Sequence, residues 1–259
     1  MNISAVVLTK NEEKNIKKCL ESIDFCEEII ILDDFSTDKT IEIVHKILKI
    51  HKVYKVLQRK LNGDFAAQRN YGLSKATRDW VLFLDADEEI SPELKKEIVS
   101  CIKDKDSIEA FYLKRRDFFW DRELKHGELS SVTKKGLIRL VKKESGKWMG
   151  NVHEVFHTAQ NCKILNGYIN HLPHQSLSEF IKDINNYSTL RAHELQRQGY
   201  ETNLFEIVFV PLTKFILNYF LLLGFLDGAA GFTYSFMMSF HSFLVRSKLY
   251  QYTKLKSND

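Results

Sequence analysis

Trp80-Val81-Leu82-Phe83-Leu84 is an unbroken apolar run, and it ends abruptly in Asp85-Ala86-Asp87-Glu88-Glu89. In a strand, residues two apart project to the same side. Asp85 and Asp87 are therefore expected to stand together at a strand end. Paired carboxylates of this kind suit Mg²⁺ or Mn²⁺, which bridge protein oxygens to substrate phosphates. The chemistry implied is on a nucleotide diphosphate. The plainer reading is an acidic strand-to-helix turn, with Ser91-Pro92-Glu93 opening the next helix. Asp-x-Asp taken alone favours that plainer reading. Two further polar strand ends shift the balance. Thr9, Asn11 and Glu12 follow the apolar run Ile3 to Leu8, and Asp33, Asp34, Ser36 and Asp38 follow Glu28 to Leu32. In an open parallel sheet the ligand crevice lies beyond the carboxyl ends of the strands. All three clusters are expected to face one pocket.

The elements that would position them alternate in type over the first hundred residues, the pattern of a parallel sheet covered by helices. Strands are expected over 3–8, 28–32, 53–57 and 80–84. Between them, Ile16, Leu20 and Ile23 share one helical face, and so do Ile41, Val44 and Leu48, with Thr37 or Asp38 as the cap. Helices are also expected over 65–74 and 92–102. From about Ala110 the pattern changes to strands near 110–113, 136–141 and 163–170, between loops rich in histidine. Ser176-x-x-Glu179 has the form of a capping box and opens a long amphipathic helix ending near Gly199.

The tail has a different composition. Phe215 to Leu226 holds no charge, Asp227-Gly228 interrupts it, and Phe232 to Val245 resumes the apolar character. Twelve helical residues rise about 18 Å, short of a hydrocarbon core of about 30 Å. A helical hairpin lying in the membrane interface is the expectation. The alternative is a buried pair that completes the core or an oligomer contact. The division expected is a catalytic domain over 1–200 and an apolar helical tail over 201–259.

Composition narrows the class. The chain has 259 residues, 44% of them hydrophobic, so it can bury a sizeable core, and three prolines and eleven glycines leave no long linker. A net charge of +4 is modest for a nucleic-acid binder, and none is expected as partner. The scattered cysteines form no Cys-x-x-Cys pair, which speaks against a thiolate zinc site. No basic segment followed by a long apolar stretch opens the chain, so no secretory signal is expected. A cytoplasmic protein at the inner face of a membrane fits these features. Gly-x-Gly-x-x-Gly, Gly-x-x-x-x-Gly-Lys-Ser/Thr and Gly-x-Ser-x-Gly are all missing, which disfavours dinucleotide, phosphate-loop and hydrolase chemistry.

Leu8-Thr9-Lys10-Asn11-Glu12, Asp33-Asp34-Phe35-Ser36-Thr37-Asp38-Lys39-Thr40, Ala67-Gln68-Arg69-Asn70-Tyr71-Gly72 and Asp85-Ala86-Asp87 resemble four marks of glycosyltransferase family 2, in family order and spacing. The resemblance is to bacterial members that add a sugar to lipopolysaccharide core. It continues through Trp148-x-Gly150-x-Val152-His153-Glu154 and His171 into the tail. Phe35 departs from it, standing where the family has glycine.

The resemblance implies an α/β nucleotide-sugar-binding fold of the GT-A type, a divalent cation (Mn²⁺ or Mg²⁺), inversion at the anomeric carbon, and a glycolipid or saccharide acceptor. Carried over, Thr9, Asn11 and Glu12 line the nucleotide pocket, and Asp33 or Asp34 accepts from uracil N3 of a UDP-linked donor. Arg69 sits near the diphosphate. Asp85 holds the ribose or the metal, Asp87 ligates the metal, and His171 adds a metal or phosphate contact. His153, His157 and His174 are alternatives to His171. Inversion needs one base to deprotonate the acceptor hydroxyl. Glu154 is the candidate, with Asp117 and Asp121 as rivals. Lys134, Lys135, Arg139, Lys142, Lys143 and Lys147 read as a solvated hairpin or as a docking surface for an anionic acceptor. Arg139, inside a strand, has a second reading as a contact to donor phosphates. Two other functions remain open: a binding module without turnover, and a structural membrane protein whose tail is the working part.

Overall fold

The computed structural model of the chain describes residues 2–49, 53–103, 108–150, 154–158, 161–174 and 176–255. Two compact units are present. One comprises residues 1–116 and 131–172, the other 117–130 and 173–259.

The first unit is built on β1 (Ile3–Thr9), β2 (Glu28–Asp33), β3 (Tyr54–Gln58) and β4 (Trp80–Asp85), which pair in parallel in the order β3-β2-β1-β4. β1 and β2 are buried at every position, as strands covered on both faces must be. Alternate residues serve opposite faces. Val7, Ile31, Leu82 and Leu84 pack with α1 (Ile16–Ser22), α2 (Thr40–Leu48) and α4 (Pro92–Cys101). Val6, Ile30, Leu32 and Phe83 pack with α3 (Phe65–Lys75) and with Trp148 and Phe156. Beyond β4 the sheet continues as β8 (Leu137–Lys142), β6 (Ala110–Phe119), β11 (Cys162–His174) and β5 (Glu88–Ile90), while β9 (Gly146–Met149) and β10 (Val155–Thr158) form a separate antiparallel pair.

Local signals set the helix starts. Asp64 accepts the Ala67 N–H at 2.8 Å at the head of α3. Ser91 accepts the Leu94 N–H at 3.2 Å ahead of Pro92 in α4. α2 differs slightly from expectation: it starts at Thr40 with Lys39 at the cap position, and Asp38, one residue earlier, accepts the Thr40 N–H at 2.9 Å.

The second unit contains residues 117–119 paired with β7 (Arg122–Leu124), α6 (Leu177–Arg197), α7 (Leu204–Ile216) and α8 (Gly228–Lys254), while α5 (Ser130–Lys135) falls in the first unit from its second residue on. Ser176 caps α6 by accepting the Glu179 N–H at 3.2 Å. Phe119, Leu124, Phe180, Ile184, Ala230 and Met237 form its core. α6 thus packs with α8 in the second compact unit. The reason is physical: the apolar face of α6 is covered by α8 and by the 117–130 hairpin.

The tail also differs from the twelve-residue segments read in the sequence. Helix runs on from α7 through one π-type turn, so that Leu204–Leu221 is an 18-residue stretch. It is the one helix among the described residues long and apolar enough to cross a membrane. Pro211 and Lys214 both lie inside it.

Candidate active site

The parallel register puts the three polar strand ends level. Thr9 lies opposite Asp33, and Leu8 lies opposite Asp85. The chain leaves the sheet there in step: the Asp34 N–H donates to Thr9 O, and the Ala86 N–H donates to Leu8 O. The expected convergence at one edge is present.

At the β2 end, Asp33 is fully buried and accepts the Ser36 N–H at 3.1 Å and Gln58 Nε2 at 3.3 Å. Asp34 accepts the Leu61 N–H at 3.2 Å and pairs with Lys10 at 2.7 Å. Asn11, in the left-handed region at φ 56°, accepts the Thr37 N–H through its side chain at 2.7 Å, so it ties the first loop to the second. Glu12 accepts from Asn15 Nδ2 at 2.8 Å. Thr9 Oγ1 is buried with no hydrogen-bond partner among the described residues.

At the β4 end an ionic network forms. Arg69, on α3, is 1% exposed. Its Nη2 donates to both Asp85 oxygens at 2.9 and 3.1 Å, and its Nε donates to Glu154 at 2.8 Å. Arg139, on β8, donates to Asp85 at 2.8 Å and to Glu88 at 3.2 Å. Glu88, wholly buried, also accepts the Asp85 N–H at 3.0 Å and faces Arg115 at 3.7 Å. Burial alone would raise the Asp85 pKa. The Arg69 and Arg139 guanidiniums outweigh it and hold the carboxyl well below the usual carboxylate range. Burial likewise pulls Arg139 down, but Glu88 and Asp85 more than reverse this, so it stays charged.

α3 delivers Arg69 by two devices. Gly72 lets the helix approach β1, since a Cβ there would collide with Val6 Cγ1. Asn70 clamps the Trp148 backbone, donating to its carbonyl at 2.8 Å and accepting its N–H at 2.9 Å. The Trp148 ring lies 5.2 Å from the Arg69 guanidinium. β9 and β10 are thereby fixed beside α3, and Glu154, immediately before β10, reaches Arg69.

Asp87 is placed differently from Asp85. β5 pairs with β11 in antiparallel fashion, His171 opposite Glu88, and Leu172 N–H donates to Asp87 O. His171 Nε2 then lies 3.2 Å from Asp87 Oδ2, both side chains retaining some exposure. Of the three residues expected at a metal, Asp87 and His171 come together, while both Asp85 oxygens go to arginine. Among the described residues, no three His, Cys, Asp or Glu side chains form a complete metal-ligand set. Two protein donors with substrate phosphates and water still fit Mg²⁺ or Mn²⁺.

Several expected residues lie elsewhere. Asp117 and Asp121 belong to the second unit. Val152 and His153 lie outside the described residues, as does the side chain of His174. His157 is on β10. Glu88, Arg115 and the clamping role of Asn70 went unread in the sequence. A charged residue inside the apolar run Leu137-Ile138-Arg139-Leu140-Val141 was a legible sign of a buried cation needing acids.

A mostly parallel sheet with helices on both faces is the architecture of the GT-A fold, and solved structures share that fold. S. aureus TarS 1-349 in complex with UDP-GlcNAc matches at a TM-score of 0.52 and 16% identity, over 100% of this chain and 93% of that one. The mannosyltransferase PcManGT from Pyrobaculum calidifontis, in complex with GDP-Man and Mn²⁺, matches at 0.53 and 13% identity, over 98% and 88%. The chain belongs to glycosyl transferase family 2, whose family model matches residues 4–159, more than half of its length. It is a glycosyltransferase. Among relatives, the lipopolysaccharide core biosynthesis glycosyltransferase LpsC of Rhizobium meliloti (strain 1021) is 26% identical, over 98% of this chain and 94% of that protein. An uncharacterized glycosyltransferase of Rickettsia typhi is 27% identical, over 95% and 86%.

Proposed function

We propose that the chain transfers a sugar, with inversion, from a UDP-linked donor to a saccharide acceptor carried on a lipid, of the lipopolysaccharide-core kind. The observation that carries this reading is the pair of buried arginines at the β4 end. Arg69 and Arg139 are each spoken for by carboxylates, yet each keeps a buried Nη1 with no partner among the described residues. Unpaired buried donors are unfavourable. Phosphate oxygens of a donor would satisfy them in the bidentate style guanidinium prefers. The relatives and the solved neighbours with nucleotide sugars support the same reading.

Charge balance supports a divalent cation. Arg69, Arg115 and Arg139 are matched by Asp85, Glu88 and Glu154. A diphosphate then arrives with its own negative charge to be offset. Asp87 and His171 are the residues that would hold the ion, and their mixed oxygen and nitrogen donors favour Mn²⁺ over oxygen-seeking Mg²⁺. When bound, the ion acts as a Lewis acid that stabilises the departing nucleoside diphosphate. Glu154 accepts the proton of the acceptor hydroxyl. That oxygen bonds to the anomeric carbon from the face opposite the phosphate as the carbon–oxygen bond to phosphate breaks. Arg69 orients Glu154 and faces the diphosphate from the same guanidinium. The first unit carries the chemistry. The second, with its exposed apolar helix, holds the enzyme at the cytoplasmic face of the inner membrane, where a lipid-borne acceptor is met.

The test is a thermal-shift panel of UDP-, GDP- and ADP-sugars with and without Mn²⁺. A ligand at 100 times its Kd stabilises by about 2.7 kcal/mol. UDP-sugars with Mn²⁺ are expected to give the largest shift, and excess chelator to remove transfer. No shift with any nucleotide sugar would end the donor reading.

A further inference from the structure

Phe35 is the residue at the site that folding does not explain. It joins none of the hydrophobic clusters, and 46% of its surface is exposed. Its φ is 55°, in the left-handed region that a bulky residue rarely occupies. The neighbours hold it there. Asp33 is locked by the Ser36 N–H, and Asp34 by the Leu61 N–H and by Lys10. The backbone on either side of Phe35 is thus pinned, and its phenyl ring stands half in solvent at the carboxyl edge of β2. Lys60 Nζ stands 6.0 Å from its centroid. An exposed apolar ring kept in a strained backbone is a cue to function.

We propose that Phe35 is the stacking platform for the nucleobase of the donor. The inference rests on the nucleotide-donor reading above and adds to it the residue that meets the base's flat face. Asp34, the preceding residue, keeps some exposure of its carboxylate and is suited to the base's N–H edge. The ring offers what a carboxylate lacks, a broad apolar surface. Stacking of a base on an aromatic side chain changes affinity by roughly ten- to a hundredfold when the ring is removed. A stacked base adds no charge requirement, so the diphosphate is held independently by the arginines.

Phe35→Gly separates this role from a structural one. Glycine accepts φ 55° without strain, so the variant is expected to melt at the same temperature as the parent or higher. Its affinity for UDP in the presence of Mn²⁺, read by calorimetry, is expected to fall roughly ten- to a hundredfold. Affinity for inorganic pyrophosphate should stay unchanged, and Phe35→Tyr should retain UDP binding. If Phe35→Gly binds UDP as tightly as the parent, the platform is overturned while the donor reading stands. If the glycine variant loses UDP and pyrophosphate alike and also melts lower, Phe35 is a structural residue and the proposal fails. If the parent protein binds no nucleoside diphosphate, the donor reading fails first and this inference with it.

Discussion

Asp85 and Asp87 are two residues apart and alike in type, yet they answer to different physics. Asp85 is the meeting point of two buried guanidiniums. Removing one partner from such a network leaves uncompensated charge, a loss of about 3–5 kcal/mol. Asp85→Asn is therefore expected to lower unfolding free energy by about 3 kcal/mol in urea titration, and activity with it. Among the described residues the Asp87 carboxylate pairs with His171, and it keeps some solvent. Asp87→Asn is expected to leave stability within about 0.5 kcal/mol and to reduce transfer by at least about 10²-fold, the scale of a lost charge-stabilising group. Equal stability losses in the two variants would contradict this division. The same residues set the acid limit. The Asp85 pKa is raised by burial and lowered further by Arg69 and Arg139, ending depressed. Glu28, raised by burial, is brought below its usual value by Lys55, Ser4 and Thr77. A depressed folded pKa stabilises above the unfolded value, about 3.9 for Asp and 4.3 for Glu, and that stability is lost as pH falls further. Unfolding free energy should drop below about pH 4. Glu28→Gln, at the opposite end of β2 from the site, should flatten that drop while leaving the neutral-pH activity per folded molecule alone.

At the scale of elements, α3 is the part that makes the site possible. Its Arg69 reaches Asp85 because Gly72 allows close contact with Val6. Gly72→Ala adds a methyl where there is no room, and overpacking typically costs about 1–3 kcal/mol. The expected result is a lower melting temperature with reduced transfer. Val6→Ala in the same chain should recover part of both, and no recovery would show that the contact is not the cause. This element was legible in the sequence, as were β1 to β4, because long apolar runs and helical faces carry their own period. The acids were legible for the same reason, since they end those runs. What stayed hidden is instructive. β5 is three residues long and exists by pairing with β11 some eighty residues later, and no local pattern encodes that. Glu88 looked like one more acid in a turn, and only the tertiary pairing buries it under Arg139 and Arg115. Asn70 sat inside a quoted motif, but its partner is a backbone 78 residues away. In α7, Pro211 falls inside the helix and Lys214 pairs with Glu128 at 3.2 Å, a partner the local sequence does not show.

One helical stretch of the molecule exposes a run of large apolar side chains. Leu204, Phe205, Val208, Phe209, Leu212, Ile216, Phe220 and Leu221 are each at least 45% exposed along one helical stretch. Contiguous surface of that kind marks an interaction site. At 18 residues the stretch rises about 27 Å, close to a hydrocarbon core. Two observations argue for lying in the interface instead of crossing. Lys214 is ion-paired to Glu128, and Pro211 O accepts from Ser239 on α8, so one side of the helix is committed to its own unit. Half-burial of each exposed side chain in lipid contributes about 1 kcal/mol. Eight of them exceed the roughly 5.5 kcal/mol of a single myristoyl anchor, whose binding constant is about 10⁴ M⁻¹. Phe205→Gln, Leu212→Gln and Leu221→Gln together keep good helix formers while removing three of these contacts. The triple variant is expected to bind phosphatidylethanolamine–phosphatidylglycerol vesicles at least about tenfold more weakly, since each factor of ten is about 1.4 kcal/mol. Its melting temperature and its transfer to a water-soluble acceptor should be unchanged. Vesicle binding equal to the parent's would remove the helix from the anchor. A parent that sediments as a dimer and a triple variant that sediments as a monomer would assign the same face to a second copy of the chain.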